Sequence, residues 1–224
     1  MAKRALIEKR PWLLASLAAA IAFCALRLTH LPELWLLPLP AVATGFLALY
    51  ALLHHGGRDS RHLAAMMAVA AVRDVVFQID LAVSALVFFV YHLLAIMLFL
   101  RHPREHTTAT QKAAAVAMLL LTPALAWLLP ADRTLATPLA LYGLTVGGMA
   151  SCAWMSAFPR YRVGIGAALL LAYNLLVIAG LGPLMGRQLP DALAWPLYYV
   201  GQLLIAIGVV RTLRKRPDSV VTDV

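Results

Sequence analysis

The sequence predicts an all-α polytopic membrane protein: a single domain over 1–224, with eight transmembrane helices and cytoplasmic N- and C-termini. Three observations predict it. Of 224 residues, 62% are apolar and 13% charged, against about 45–50% and about 25% in soluble domains. The apolar residues gather in runs near the ~20 residues that cross a ~30 Å hydrocarbon core. The cations collect in alternate gaps between those runs. A soluble fold of this length has too little interior to hide so much apolar surface, and the composition also excludes a disordered, fibrous or disulfide-stapled chain.

The runs lie at about 11–26, 33–53, 62–80, 81–100, 112–130, 135–157, 163–185 and 192–213. The first is short and follows the basic start MAKRALIEKR. No small-x-small cleavage site follows IAFCAL, so this run reads as an uncleaved signal anchor. The third run carries charge. Pro38, Pro40, Pro123 and Pro196 fall inside runs, where neighbouring helices can satisfy the freed carbonyls. GLTVG at 143–147 has GxxxG spacing, read as close helix packing within the chain, with a dimer face as the alternative. The connections are short; only 54–61 and 101–111 read as loops. No repeat marks an inverted-repeat transporter.

Orientation follows from the Lys and Arg residues. With the N-terminus inside, Lys3, Arg4, Lys9, Arg10, Arg58, Arg61, Arg101, Arg104, Lys112, Arg160, Arg162, Arg211, Arg214, Lys215 and Arg216 all face the cytoplasm. Only Arg27, Arg133 and Arg187 face out, and Arg73 lies within a run. Such asymmetry supports an even number of spans; the Ala-, Leu- and Arg-rich usage points to a GC-rich bacterium, and the expectation is a multi-pass protein of the bacterial inner membrane. The net charge of +9 therefore suits anionic headgroups, and no nucleic-acid partner is expected. Cys24 and Cys152, both inside apolar runs, read as small apolar residues. His54, His55 and His62, with Asp59, read as a solvated loop and not as zinc ligands; no metal and no cofactor is expected.

Polar groups at membrane depth are expensive, so each is a site hypothesis. Asp74, His92 and Asn174 each lie ~18 Å along their runs, and Gln202 ~16 Å along the last, at 1.5 Å per residue. Four runs thus bring one polar group each to a common level near the midplane. Gln78 stands one turn beyond Asp74 on the same helix face. Arg73 lies about 100° round the helix from Asp74, an offset that disfavours their pairing. Arg73 shares its face with Asp80; it either neutralises Asp80 or holds a lipid phosphate. Structural readings stand beside the functional ones: Asp74 and His92 as helix-joining hydrogen-bonders, Asn174 and Gln202 as interhelical amides, and Tyr198 and Tyr199 as packing residues.

Three stretches resemble a known family. They are RDVVFQIDLAVSALVFFVYHLLAIMLF, YRVGIGAALLLAYNLLVIAG and WPLYYVGQLLIAIG. In order and spacing they are similar to motifs of the YhhN-type lysoplasmalogenases of bacterial and animal membranes. PLP at 38–40 resembles the family's Lys-Pro element, with Leu37 where the lysine stands. The resemblance implies hydrolysis of the vinyl ether bond of lysoplasmalogen to a fatty aldehyde and a glycerophospho-headgroup. It implies Asp74, His92 and Asn174 as catalytic residues and Gln202, beside Tyr198 and Tyr199, as substrate-binding; Arg73 and Gln78 are expected to bind substrate from their places beside Asp74, not from the resemblance. The implied partners are a lysophospholipid substrate and the bilayer, with a homodimer as an option. Departures from the family pattern are Arg73 for the glycine before the acid, Tyr173 for a serine, and Asn174 for a second aspartate.

Vinyl ether hydrolysis needs a proton delivered to carbon and an oxocarbenium ion captured by water. Lipid-like surroundings disfavour a carboxylate anion, so an acid at this depth is a candidate proton donor. In this reading Asp74 donates, His92 relays or orients, and Asn174 and Gln202 hold the attacking water. The competing expectation is a non-catalytic lipid-binding or lipid-transport protein on the same scaffold.

Overall fold

The computed structural model describes residues 10–27, 29, 33–54 and 57–215. Lys3, Arg4, Lys9, His55 and Arg216 lie outside the described residues. The helices are α1 (Arg10–Leu26), α2 (Glu33–Leu36), α3 (Pro38–His54), α4 (Arg58–Phe77), α5 (Leu81–Leu100), α6 (Ala109–Leu128), α7 (Ala136–Met155), α8 (Ile165–Gly180) and α9 (Gln188–Lys215). A 3-10 turn at Arg133–Leu135 leads into α7, and a π turn at Arg160–Gly164 leads into α8. Among the described residues no strand forms; one isolated bridge joins Pro103 to Ser156.

Each predicted apolar run holds a described helix, and among the described residues five helical segments are long and apolar enough to cross a membrane: Leu81–Leu100, Ala109–Leu128, Arg133–Met155, Arg160–Gly180 and Gln188–Lys215. Helices α1 and α3 are apolar but have 17 residues each, about 25 Å at 1.5 Å per residue. Helix α4 has 20 residues, among them Arg58, Asp59, Arg61, Arg73 and Asp74. Leu86 is 69% and Leu141 62% exposed. Leucines bared to that degree along long apolar helices suit a hydrocarbon solvent.

The boundaries depart from the prediction where local chemistry intervenes. The run at 33–53 breaks at Leu37, between α2 and α3. Pro38 explains the break: its ring disfavours the helical conformation for the residue before it. Pro38 and Pro40 sit instead in the first turn of α3, where a missing N–H costs nothing. The expected loop at 54–61 is shorter, because α4 already begins at Arg58. That helix ends at Phe77 and not at 80. Gln78 caps it, its N–H reaching the Val75 and Val76 carbonyls, and Asp80 accepts from the Val83 N–H at 2.9 Å as the next helix starts. The run at 163–185 starts earlier, in the π turn, and stops at Gly180 before turns through GLGPLMG.

The chain divides into two compact units, residues 1–87 with 206–224, and residues 88–205. Helices α5 and α9 each contribute to both. In the first unit, α3 packs against α1 and α4. Ser16 donates to the Ala43 carbonyl at 2.7 Å, and the Trp12 and Phe46 rings lie 5.7 Å apart. The buried stripe of α4 runs through Leu63, Met66, Met67, Ala70, Arg73 and Asp74, the spacing of one helix face.

In the second unit, α6 packs along α7. The GxxxG glycines make the contact close: a Cβ on Gly143 would sit 2.7 Å from the Ala126 Cβ, and one on Gly147 2.5 Å from the Met118 carbonyl oxygen. The motif therefore packs within the chain. A second crossing of the same kind joins α8 to α9, where a Cβ on Gly166 would lie 2.8 Å from the Gly201 oxygen. Neither Cys24 nor Cys152 forms a disulfide, and both are half-buried.

Candidate functional site

Apart from Gln78, the predicted site residues fall into two buried groups, one in each unit.

In the first unit, Asp74 is 2% exposed. Its Oδ2 accepts from the Thr44 hydroxyl at 2.8 Å, across from α3 to α4. Its Oδ1 accepts from Arg73 Nη1 at 3.2 Å. The guanidinium also lies over the Phe77 ring, 4.2 Å from its centroid. This corrects two expectations. Arg73 pairs with Asp74, because the buried stripe is wide enough to hold neighbours 100° apart and the long arginine stem closes the remaining gap. It does not neutralise Asp80, which is exposed beyond the end of the helix. Gln78 is corrected as well: the helix stops at Phe77, so Gln78 is an exposed cap and does not extend the buried polar face. Thr44 and Arg73 thus each hold one oxygen of the Asp74 carboxyl group.

In the second unit, His92 is fully buried in aromatic rings. The Phe88 centroid lies 4.5 Å away, Tyr91 5.5 Å and Tyr142 5.6 Å. Two amides belong to the same group, each gripped by a tyrosine. Tyr91 donates to Gln202 Oε1 at 2.7 Å. Tyr142 donates to Asn174 Oδ1 at 2.5 Å, and Asn174 Nδ2 donates to the Leu170 carbonyl at 2.7 Å. The close Gly166–Gly201 crossing brings the helices of Asn174 and Gln202 together. Gln202 is 0% exposed, yet its Nε2 has no hydrogen-bond partner among the described residues. Tyr198 is buried against Phe88 and Tyr173, centroids 5.8 and 5.1 Å away. Tyr199 stacks on Trp195 at 5.8 Å.

The structure thus brings His92, Asn174, Gln202 and Tyr198 into one cluster and joins Asp74 to Arg73. Sequence reasoning passed over Thr44, Phe88, Tyr91 and Tyr142. Thr44 was legible as a hydroxyl inside an apolar run. Tyr91 and Tyr142 were harder: a phenol in such a run looks like any other large apolar side chain until a partner for its hydroxyl is known. Among the described residues no group of His, Cys, Asp and Glu is placed to hold a metal ion.

The family model described as the YhhN family matches residues 35–209. No curated protein and no solved structure matches the chain. The matched stretch takes in every residue of the Asp74 pair and of the His92 cluster, and covers most of the sequence: the chain belongs to the YhhN family.

Proposed function

We propose that the protein is an intramembrane hydrolase of the vinyl ether bond of lysoplasmalogen-like lysophospholipids, a multi-pass protein with eight spans and cytoplasmic termini in a bacterial inner membrane. The observation that carries the reading is the buried Gln202 amide in a member of the YhhN family. Its oxygen is committed to Tyr91 while its N–H donors lack a protein partner among the described residues. A buried donor left so is costly, and a water or an ether oxygen would satisfy it.

The reaction adds water across the enol ether. A proton goes to the vinyl carbon, and hydroxide from water joins the carbon bearing oxygen. The hemiacetal then collapses to a fatty aldehyde and the glycerol hydroxyl. In this reading Asp74 is the acid–base residue, His92 relays the proton, and Asn174 and Gln202 hold the water. Tyr198 and Tyr199 wall the substrate. Protonating carbon requires Asp74 to leave its ion pair, and the substrate supplies the means: a lipid phosphate competes for the Arg73 guanidinium, which bonds phosphate oxygens as well as it bonds a carboxylate. Asp74, released from Arg73 and still buried, then takes up the proton it donates. Its conjugate base steadies the oxocarbenium charge.

The test is aldehyde release from lysoplasmenylethanolamine by the purified protein and by Asp74→Asn. Release by the wild type and about 100-fold less by the variant is expected, the usual scale for a lost acid–base group. Equal release by both would remove Asp74 from the chemistry. A second reading, a lipid-binding or transport protein, is favoured by the Arg73–Asp74 pair itself, since a permanently paired acid does no proton transfer. Lipid that co-purifies intact with no turnover would establish that reading instead.

A further inference from the structure

One end of the second unit is built from two zipped connections. The turn after α5 and the turn after α7 are joined by the Pro103–Ser156 bridge. The Arg104 N–H bonds to the Met155 carbonyl at 3.1 Å and the Ala157 N–H to the His102 carbonyl at 2.7 Å. Beneath them Phe158 packs on Phe99 and His102, centroids 6.1 and 5.1 Å away.

Two guanidiniums are fixed to this platform. Arg104 donates through Nε to the Ser156 carbonyl at 3.0 Å and through Nη2 to the Phe158 carbonyl at 2.7 Å. Arg160 donates through Nε to the Trp154 carbonyl at 3.1 Å and through Nη2 to Gln111 Oε1 at 2.7 Å. Gln111 is itself held in the Thr108 capping box at the start of α6. Every one of these acceptors is neutral. Neither arginine makes an ion pair among the described residues, and Nη1 of each has no hydrogen-bond partner there. The backbone carbonyls that hold the two guanidiniums, Trp154, Ser156 and Phe158, lie within five consecutive residues, so the two charges are anchored on one short stretch of chain. Arg101, Lys112 and Arg162 stand in the same two segments, against Glu105 as their one acid.

Two like charges held by carbonyls, with donors to spare and no carboxylate, call for an anion. We propose that Arg104 and Arg160 form a clamp for the phosphate of an anionic membrane phospholipid. The guanidinium fork fits phosphate oxygens and keeps that fit only while it is oriented, which is what the carbonyl bonds do. The surroundings favour a lipid over a free phosphate: Leu100 is 62%, Tyr161 64% and Ile165 43% exposed at the adjoining helix ends, an apolar flank for acyl chains. Arg73, tied to Asp74, is not needed for this site, and the site stands whether or not the protein is a hydrolase.

The experiment compares four proteins purified in detergent: wild type, Arg104→Gln/Arg160→Gln, Arg104→Lys/Arg160→Lys, and the control Arg133→Gln/Arg187→Gln. The control removes the same charge elsewhere. Native mass spectrometry measures phosphatidylglycerol bound, with phosphatidylcholine and inorganic phosphate as competitors. Wild type and control should hold one phosphatidylglycerol alike, and the glutamine pair ~10-fold more weakly, or about 1.4 kcal/mol. The lysine pair keeps the charge and serves if the glutamine pair does not fold; it should also bind more weakly, because the fork is lost. Equal binding by wild type and both clamp variants overturns the proposal. So does an equal loss in the control, or displacement of the lipid by low-millimolar inorganic phosphate.

Discussion

Arg73 and Asp74 are adjacent in the chain and paired in space, Nη1 3.2 Å from Oδ1, with side chains 7% and 1% exposed. Breaking a buried pair from one side strands the other charge, at a cost of about 3–5 kcal/mol. Arg73→Met should therefore destabilise the protein by about that amount, while Arg73→Met/Asp74→Leu recovers most of it. Unfolding in detergent micelles measures both. A double variant as unstable as the single one would show that the pair is not the source.

The glycines of α6–α7 separate packing from helix propensity. Gly147→Ala places a methyl 2.5 Å from the Met118 carbonyl oxygen and should cost about 1–3 kcal/mol as the helices part. Gly45→Ala meets nothing within 4 Å and should be neutral or stabilising by up to about 1 kcal/mol. Thermal unfolding of the two variants side by side checks the contrast.

Tyr91→Phe removes the hydroxyl that satisfies Gln202 Oε1. A buried acceptor left without its donor costs about 1–3 kcal/mol. Tyr91→Phe/Gln202→Leu should cost less than the sum of the two single changes. The sign of the coupling in that double-mutant cycle is the measurement.

Asp132 caps the turn before α7, its Oδ1 accepting from the Thr134 N–H at 2.9 Å and the Thr134 hydroxyl at 2.8 Å. The side-chain and backbone bonds from Thr134 hold this carboxyl below its ordinary 3.8. A lowered folded value means the unfolded chain binds the proton more readily. The contribution is thus present above about pH 4 and lost as pH falls through the lowered value. The difference in melting temperature between wild type and Asp132→Asn should be constant near neutrality and shrink toward pH 3. A difference that grows on acidification would reverse the sign.

What the sequence determined by itself was the helical plan and the inventory of costly polar groups. Hydrophobic run length is a local property, readable without knowing any neighbour, and so is the price of placing Asp74, His92, Asn174 or Gln202 in such a run. Local chemistry also set several ends, as Pro38 did at the break after Leu37. The tertiary structure decided the partners. Arg73 had Asp74 and Asp80 both within reach on paper, and the choice depended on where α4 stops and which stripe of it α3 covers. Tyr91 and Tyr142 became amide-holding residues only when packing set α5 beside α9 and α7 beside α8, near enough for a phenol to donate. Arg104 and Arg160, two cations among many in the chain, became one arrangement because carbonyls at and just after the end of α7 hold both, while Gln111 reaches Arg160 from α6. Pairing requires two groups within about 3 Å, and a distance between chain-remote atoms is set by packing, which no single segment carries.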